Sequence, residues 1–126
     1  MYIVMEGYMD TSILTNNGVD VNRGLELLGD MDFYNETLGE FLNNIDENKN
    51  KLLEYRNNDD FENYGILSHS IKSDAKYLGF VSLIDIALAN EMAGKESNKE
   101  FIQNNFGAFI AEINKFEHIG KMYLGR

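Results

Sequence analysis

The chain contains no proline anywhere in its 126 residues, and this absence constrains the fold more than any other feature of the sequence. Proline breaks helix interiors and is confined to turns, edge strands and first helical turns, so a chain without it favours long uninterrupted helices. Apolar residues recur mostly at spacings of three and four, which is the period of one face of an α-helix. Together the two observations predict an all-α domain rather than a strand-rich fold.

Polar residues that can cap helices divide the chain into one short helix and four longer amphipathic ones. The predicted starts are Asp20 for the short helix, which stops near Gly29, and then Asp30 or Asp32, Asp59 or Asp60, Ser82, and Ser97 or Asn98. Four substantial helices joined by short connections predict an antiparallel four-helix bundle. We assign residues 19–126 to this bundle and residues 1–18 to an N-terminal arm or short helix, and we expect the Phe and Tyr stripes to form the core.

The charge balance limits the classes of partner. The 11 basic residues against 21 acidic ones give a net charge of −10, which repels nucleic-acid phosphates and anionic lipid surfaces. Cysteine is absent, which excludes disulfides, thiolate metal sites and a cysteine nucleophile, and fits a cytoplasmic protein. The N-terminal stretch has no basic leader, and no apolar run reaches the length of a membrane span, so we expect neither a signal peptide nor a membrane segment.

The segment HSIKSDAKYLGF, from residue 69, places one of only two histidines in the middle of a predicted helix. At about 100° per residue, His69 lies roughly 150° from the centre of the apolar stripe of that helix and is expected to face water. Its neighbours on the same face are Gly65, Lys72, Ser73 and Lys76. The two small residues leave the imidazole sterically open, and the two lysines form a positive spot on an acidic protein.

Several roles are open to an exposed histidine, and inertness is the commonest. A zinc site is disfavoured because no His, Asp or Glu lies three or four positions from His69. A Ser-His-Asp triad is disfavoured because neither Ser68 nor Ser70 shares the face of His69. A neutral imidazole is a competent nucleophile toward phosphorus, and neighbouring lysines can stabilise incoming phosphoryl oxygens. This last role needs exposure, whereas the others need enclosure.

The residues around the histidine resemble the signature of histidine-containing phosphotransfer (HPt) domains. The matching positions are His69, Ile71, Lys72, Ser73, Ala75, Leu78 and Gly79. The likeness extends upstream to GVDVNRGLELLGDMDFYNETLGEFL and downstream to LIDIALANEMAG, in which Glu91 is in register. It covers roughly residues 18 to 94. The sequence departs from the family pattern at Ser73, where Gly is commoner, and at Asn90, where Leu is commoner and where we expect softer packing.

The resemblance implies that His69 accepts a phosphoryl group from the aspartate of a response-regulator receiver domain, such as that of a hybrid sensor histidine kinase, and passes it to another. It implies a carrier without kinase activity of its own and without a cofactor or metal of its own, because the divalent metal belongs to the receiver. Lys72 would assist at the phosphoryl group, Ser73 would keep the docking surface low and Gly79 would turn the chain. Lys76 is added from the helix geometry.

The partner surface is expected around His69, with Gly65 and Ser73 beside it and Ile66 as its apolar centre. We interpret Glu91 as a structural hydrogen-bonding residue and His118 as a surface or boundary residue of the last helix. The protein is expected to be a monomer. The alternative function is a helical adapter that binds a receiver or another signalling protein without being phosphorylated, and metal-dependent enzyme chemistry is a distant third.

Overall fold

Six α-helices make up most of residues 10–126, the part of the chain that this computed structural model describes. In chain order they are α1 (Ser12–Thr15), α2 (Val21–Leu28), α3 (Met31–Asn57), α4 (Phe61–Leu78), α5 (Val81–Lys95) and α6 (Lys99–Leu124). No β-strand lies within the described residues. The prediction of an all-α chain is therefore confirmed.

Side-chain caps begin four of the helices where the sequence predicts them. The cap residue in each case accepts a hydrogen bond from the backbone N–H three positions on, which satisfies one of the unpaired donors of the first turn. The four caps are Asp20, Asp30, Asp60 and Asn98. The alternatives Asp59 and Ser97 instead have left-handed backbones, with φ of 53° and 51°, and lead the chain into the cap that follows.

The predicted Ser82 cap is wrong. The N-cap residue of helix α5 is Phe80, two residues earlier; the helix begins at Val81, and Phe80 makes no side-chain capping bond. The Ser82 hydroxyl donates instead to the Glu112 carboxylate on α6. Ser82 thus pairs with a residue thirty positions away instead of with the backbone of its own helix. No local sequence pattern predicts this pairing.

The turn between α4 and α5 is held by the segment that precedes α2. Gly79 ends α4 in the left-handed region, with φ of 77°, and its carbonyl accepts the Asp20 N–H at 2.8 Å. Next to it, Val19 and Phe80 form an isolated antiparallel bridge. Gly79 therefore stops the helix, as the sequence predicts, and also brings the chain into backbone contact with Asp20.

The four long helices pack in a ring in which α3 contacts α4, α4 contacts α5, α5 contacts α6 and α6 contacts α3. Their buried faces form one core, in which the rings of Phe80 and Phe116 stack at 4.5 Å between centroids. The short α1 packs against α6 through Leu14, which is fully buried. The first nine residues of the predicted N-terminal arm lie outside the described residues. Phe33 was expected in the core but is half exposed near the start of α3.

Two buried tyrosine hydroxyls in the core are paired across helices. The Tyr34 hydroxyl donates to the Leu78 carbonyl oxygen at 2.6 Å. The Tyr64 hydroxyl donates to Asn90 Oδ1 at 2.7 Å, and Asn90 Nδ2 donates to the Ile86 carbonyl at 2.9 Å. Both ends of the Asn90 amide are therefore satisfied, so this departure from the family pattern adds a specific link between α4 and α5 rather than an unpaired polar group.

Candidate functional site

His69 lies on α4 with 59% of its side chain exposed. The residue beside it, Ser68, is fully buried, and Ile71 is buried two positions on. The helix thus turns its apolar stripe to the core and its histidine to solvent. The predicted exposure of His69 is confirmed, as is the prediction that Ser68 does not share its face.

A buried carboxylate on the neighbouring helix contacts the imidazole. Glu91, on α5, has only 4% of its side chain exposed, and its Oε2 lies 3.0 Å from His69 Nδ1. The same oxygen lies 3.0 Å from Lys95 Nζ, and Oε1 lies 2.6 Å from Lys72 Nζ. One carboxylate therefore joins a histidine and two lysines from two helices into a single cluster.

The two lysines and the histidine keep this carboxylate ionised. Burial alone would raise the pKa of Glu91, but hydrogen bonds from Lys72, Lys95 and His69 outweigh it and lower that pKa to about 2. A carboxylate accepts hydrogen bonds and cannot donate them. Neutral His69 therefore carries its proton on Nδ1 and donates it to Glu91, so the lone pair available for reaction is on Nε2.

The cations around the histidine differ from those predicted. Lys72 was expected on the exposed face, but only 12% of its side chain is exposed because it reaches across to Glu91. Lys76 is exposed one turn further along α4 and is not part of the Glu91 cluster. Lys95, which the sequence analysis did not single out, lies at the cluster with 62% of its side chain exposed. The two cations that the fold brings to Glu91 are therefore Lys72 and Lys95.

A groove of about 520 Å³ runs along α4 and α5 from His69 and Glu91 toward Ser97. Ile66, which the sequence predicts to be the apolar centre of a partner surface, is 60% exposed and lines this groove. Gly65 also lines the groove but is buried against α5 rather than open to solvent. The backbone around Gly65 and Gly94 thus forms a low part of the surface beside the imidazole.

The two remaining predicted site residues have local roles. The Ser73 hydroxyl donates to the His69 carbonyl oxygen at 3.1 Å, one turn back on the same helix. Its side chain is therefore turned onto the backbone and stays short. Gly79 lies at the far end of α4, in the turn to α5. His118 is exposed on α6, as predicted.

The sequence predicts a structural hydrogen bond for Glu91 and gives no role to Lys95. Both residues lie on α5, more than twenty positions after His69, so their distance from it depends on how α4 and α5 pack. A signal was present for Glu91, because it is in register with the HPt pattern. For Lys95 the only signal is its spacing of four from Glu91, which places the two on one helix face.

Residues 10–126 include no helix long and apolar enough to cross a membrane. Across the same residues, no group of three or more His, Cys, Asp and Glu side chains is arranged to hold a metal ion. The charged cluster at His69 contains one carboxylate, Glu91, which contacts the imidazole and the ammonium groups of Lys72 and Lys95.

Comparison of the chain with protein-family models, with curated proteins and with solved structures gives no match. The site is accordingly interpreted from its own geometry and from the sequence pattern around His69.

We expect the stabilising effect of the Glu91 charge to depend on pH in a defined window. Because the folded pKa is lowered, to about 2, the contribution is complete above the ordinary value of 4.5 and is lost as the pH falls toward 2. At pH 6, Glu91→Gln should have a lower urea midpoint than wild type, and its free energy of unfolding should be lower by about 2 kcal/mol. The reason is that the substitution leaves Lys72 without its partner. The difference should shrink at pH 4, 3 and 2.5.

The matched control is Glu47→Gln. Glu47 pairs with Lys51 at 3.0 Å, but both side chains are well exposed, so its loss should change stability little at any of these pH values. A difference between wild type and Glu91→Gln that stays constant down to pH 2.5 would contradict the lowered pKa.

Proposed function

We propose that this protein is a histidine phosphotransfer domain that carries a phosphoryl group between receiver-domain aspartates on His69. The observation that carries the proposal is the contact between His69 Nδ1 and the buried Glu91 carboxylate, on a histidine that is itself exposed. A partner can reach the ring from solvent, while the hydrogen bond to Glu91 fixes the orientation of the ring. The sequence pattern around His69 supports the same function.

The proposed transfer is an in-line displacement at phosphorus. The Nε2 lone pair of neutral His69 attacks the phosphorus of an aspartyl phosphate, and a new N–P bond forms as the P–O bond to the aspartate breaks. The bonding electron pair leaves with the aspartate as a carboxylate. The imidazole ring then carries positive charge, which the Glu91 carboxylate stabilises through the retained Nδ1–H. Return of the group to a second aspartate follows the same steps in reverse.

The cations have separate roles in this proposal. Lys72 is held against Glu91 and keeps the carboxylate ionised and in place. Lys95 is largely exposed at the edge of the groove, where its ammonium group can approach the phosphoryl oxygens. In this proposal the exposed ammonium group of Lys76 adds positive charge further from the imidazole. We propose that the chain supplies the nucleophile and positive charge and acts as a carrier without autokinase activity of its own.

The docking surface proposed for the receiver surrounds the imidazole. Ile66 and the groove provide apolar contact area, and Gly65, Gly94 and Ser73 keep the surface low. The ring of four long helices supports the interpretation as an antiparallel four-helix bundle, in which α4 and α5 present the site. We propose that the domain acts as a monomer in the cytoplasm, with the receiver supplying the divalent metal.

A second candidate is an adapter that binds a receiver without being phosphorylated. The groove beside Ile66 favours it, because apolar docking at this surface does not depend on histidine chemistry. The two functions differ in whether a covalent product forms.

The direct test is incubation of the purified protein with a receiver domain phosphorylated on aspartate, in the presence of magnesium. The proposal expects label on this chain that is lost in acid and retained in alkali, as for a phosphohistidine. A folded protein that binds the receivers of a broad panel and gains no label would support the adapter instead. Binding is measured on the same samples by titration calorimetry.

A further inference from the structure

Helices α4 and α5 approach each other closely at a pair of glycines, Gly65 and Gly94, one turn from the histidine and its carboxylate. A Cβ built on Gly94 would lie 2.6 Å from Gly65 Cα, 2.7 Å from Gly65 N and 2.9 Å from the Phe61 carbonyl oxygen. All three are backbone atoms, which cannot rotate away as a side chain can. A side chain of any size at position 94 would therefore have to move one helix away from the other.

The contact is asymmetric. A Cβ built on Gly65 would meet the Glu91 carbonyl oxygen at 3.4 Å and Gly94 Cα at 3.5 Å, which are ordinary van der Waals distances. Position 65 thus has room for a methyl group, whereas position 94 has none. The separation of the two helices is set by the absence of a side chain on α5 rather than on α4.

This separation fixes the distance between the imidazole and its carboxylate. Glu91 lies three residues before Gly94 on α5, and His69 lies four residues after Gly65 on α4, so both are next to the close contact. Their atoms Oε2 and Nδ1 are 3.0 Å apart, and hydrogen bonds weaken steeply beyond that range. The spacing of the helices is therefore also the spacing of this hydrogen bond.

We propose that Gly94 is a positioning residue for the site: by letting the α5 backbone touch α4, it holds Glu91 where it fixes the Nδ1–H form of His69. The inference concerns the histidine of the proposed function, and only its effect on phosphoryl transfer rests on that function. Its effect on the imidazole is measurable in the unmodified protein.

The experiment compares Gly94→Ala with wild type by ¹⁵N NMR of the His69 ring, at the alkaline end of a pH series where the ring signals no longer change with pH. In wild type the two ring nitrogens should give well separated signals, typical of a proton held on Nδ1. In Gly94→Ala they should move toward each other as both tautomers become populated, as they should in Glu91→Ala, the positive control. Phosphoryl acceptance should slow by between about tenfold and a hundredfold.

Two further glycine variants separate positioning from general effects of alanine. Gly107 lies on α6 with no atom within 4 Å of an added Cβ, so Gly107→Ala should leave both the ring signals and the transfer rate as in wild type. Gly65→Ala should keep the separated ring signals, because its added methyl group makes ordinary contacts. If Gly94→Ala does not fold, Gly65→Val offers a milder displacement from the other helix and should show the same merging of signals.

A folded Gly94→Ala with wild-type ring signals would overturn the inference. Merged signals together with an unchanged transfer rate would also overturn it, because Gly94 would then not act on the reaction. If wild type accepts no label at all, the proposed function fails, while the ring signals still decide whether Gly94 positions His69.

Discussion

The His69→Gln variant is expected to accept no phosphoryl group from a phosphorylated receiver and to fold as the wild type does. A glutamine amide has no lone pair of comparable nucleophilicity on nitrogen, so the N–P bond cannot form. His69 is largely exposed, and substitutions at exposed positions usually change stability by no more than about 0.5 kcal/mol. The measurement is the amount of acid-labile label on each protein after equal incubation, with urea unfolding of both.

The second histidine provides the matched control. His118 is also exposed, on α6, and is not among the residues that form the His69 cluster. His118→Gln should therefore take up label like the wild type. Label that persists in His69→Gln and disappears in His118→Gln would move the site to α6. Loss of the fold in His69→Gln would show that the histidine contributes far more to stability than its exposure indicates.

The largest effect on stability is expected from Gly79→Ala. Gly79 has φ of 77°, which is unfavourable for any residue with a Cβ, and an added Cβ would overlap the Asp20 carbonyl oxygen. The variant must therefore both accept a strained backbone and break the contact with the segment before α2. We expect a loss of about 3 kcal/mol or more, measured from the shift of the urea midpoint by circular dichroism.

Gly29→Ala separates the two causes. Gly29 also has a positive φ, of 98°, but an added Cβ there would meet no atom within 4 Å. Its replacement should lower the free energy of unfolding only through the unfavourable backbone conformation, by about 1 to 2 kcal/mol. Equal losses in the two variants would mean that the contact between Gly79 and Asp20 contributes little to stability.

Features of the fold that depend on neighbouring residues were predictable from the sequence. The caps at Asp20, Asp30, Asp60 and Asn98 and the stop at Gly79 each involve residues within a few positions of one another. The exposure of His69 follows from helix period alone. Where a distant partner competes, as at Ser82 with Glu112, the local rule gives the wrong answer.

The site was predictable only on the helix that carries its histidine. Whether Glu91 touches His69 depends on how α5 packs against α4, and the two helices come into backbone contact at Gly65 and Gly94. The same packing turns Lys72 inward and brings Lys95 to the cluster, while Lys76 remains outside it. Helix period predicts which residues share a face but not which residue of another helix lies opposite them.

The bridge between Val19 and Phe80 has a consequence for the order of folding. It joins parts of the chain separated by about sixty residues, and closing so long a loop in an unstructured chain is entropically unfavourable. Once α3 and α4 have paired, most of that loop is already ordered and the remaining closure is short. We therefore expect the α3–α4 and α4–α5 hairpins to form early in folding. The segment that precedes α2 is then expected to join them last. The bridge lies beside the turn between α4 and α5, away from the end of the groove at Ser97, so we expect its loss to leave the contact between His69 and Glu91 in place.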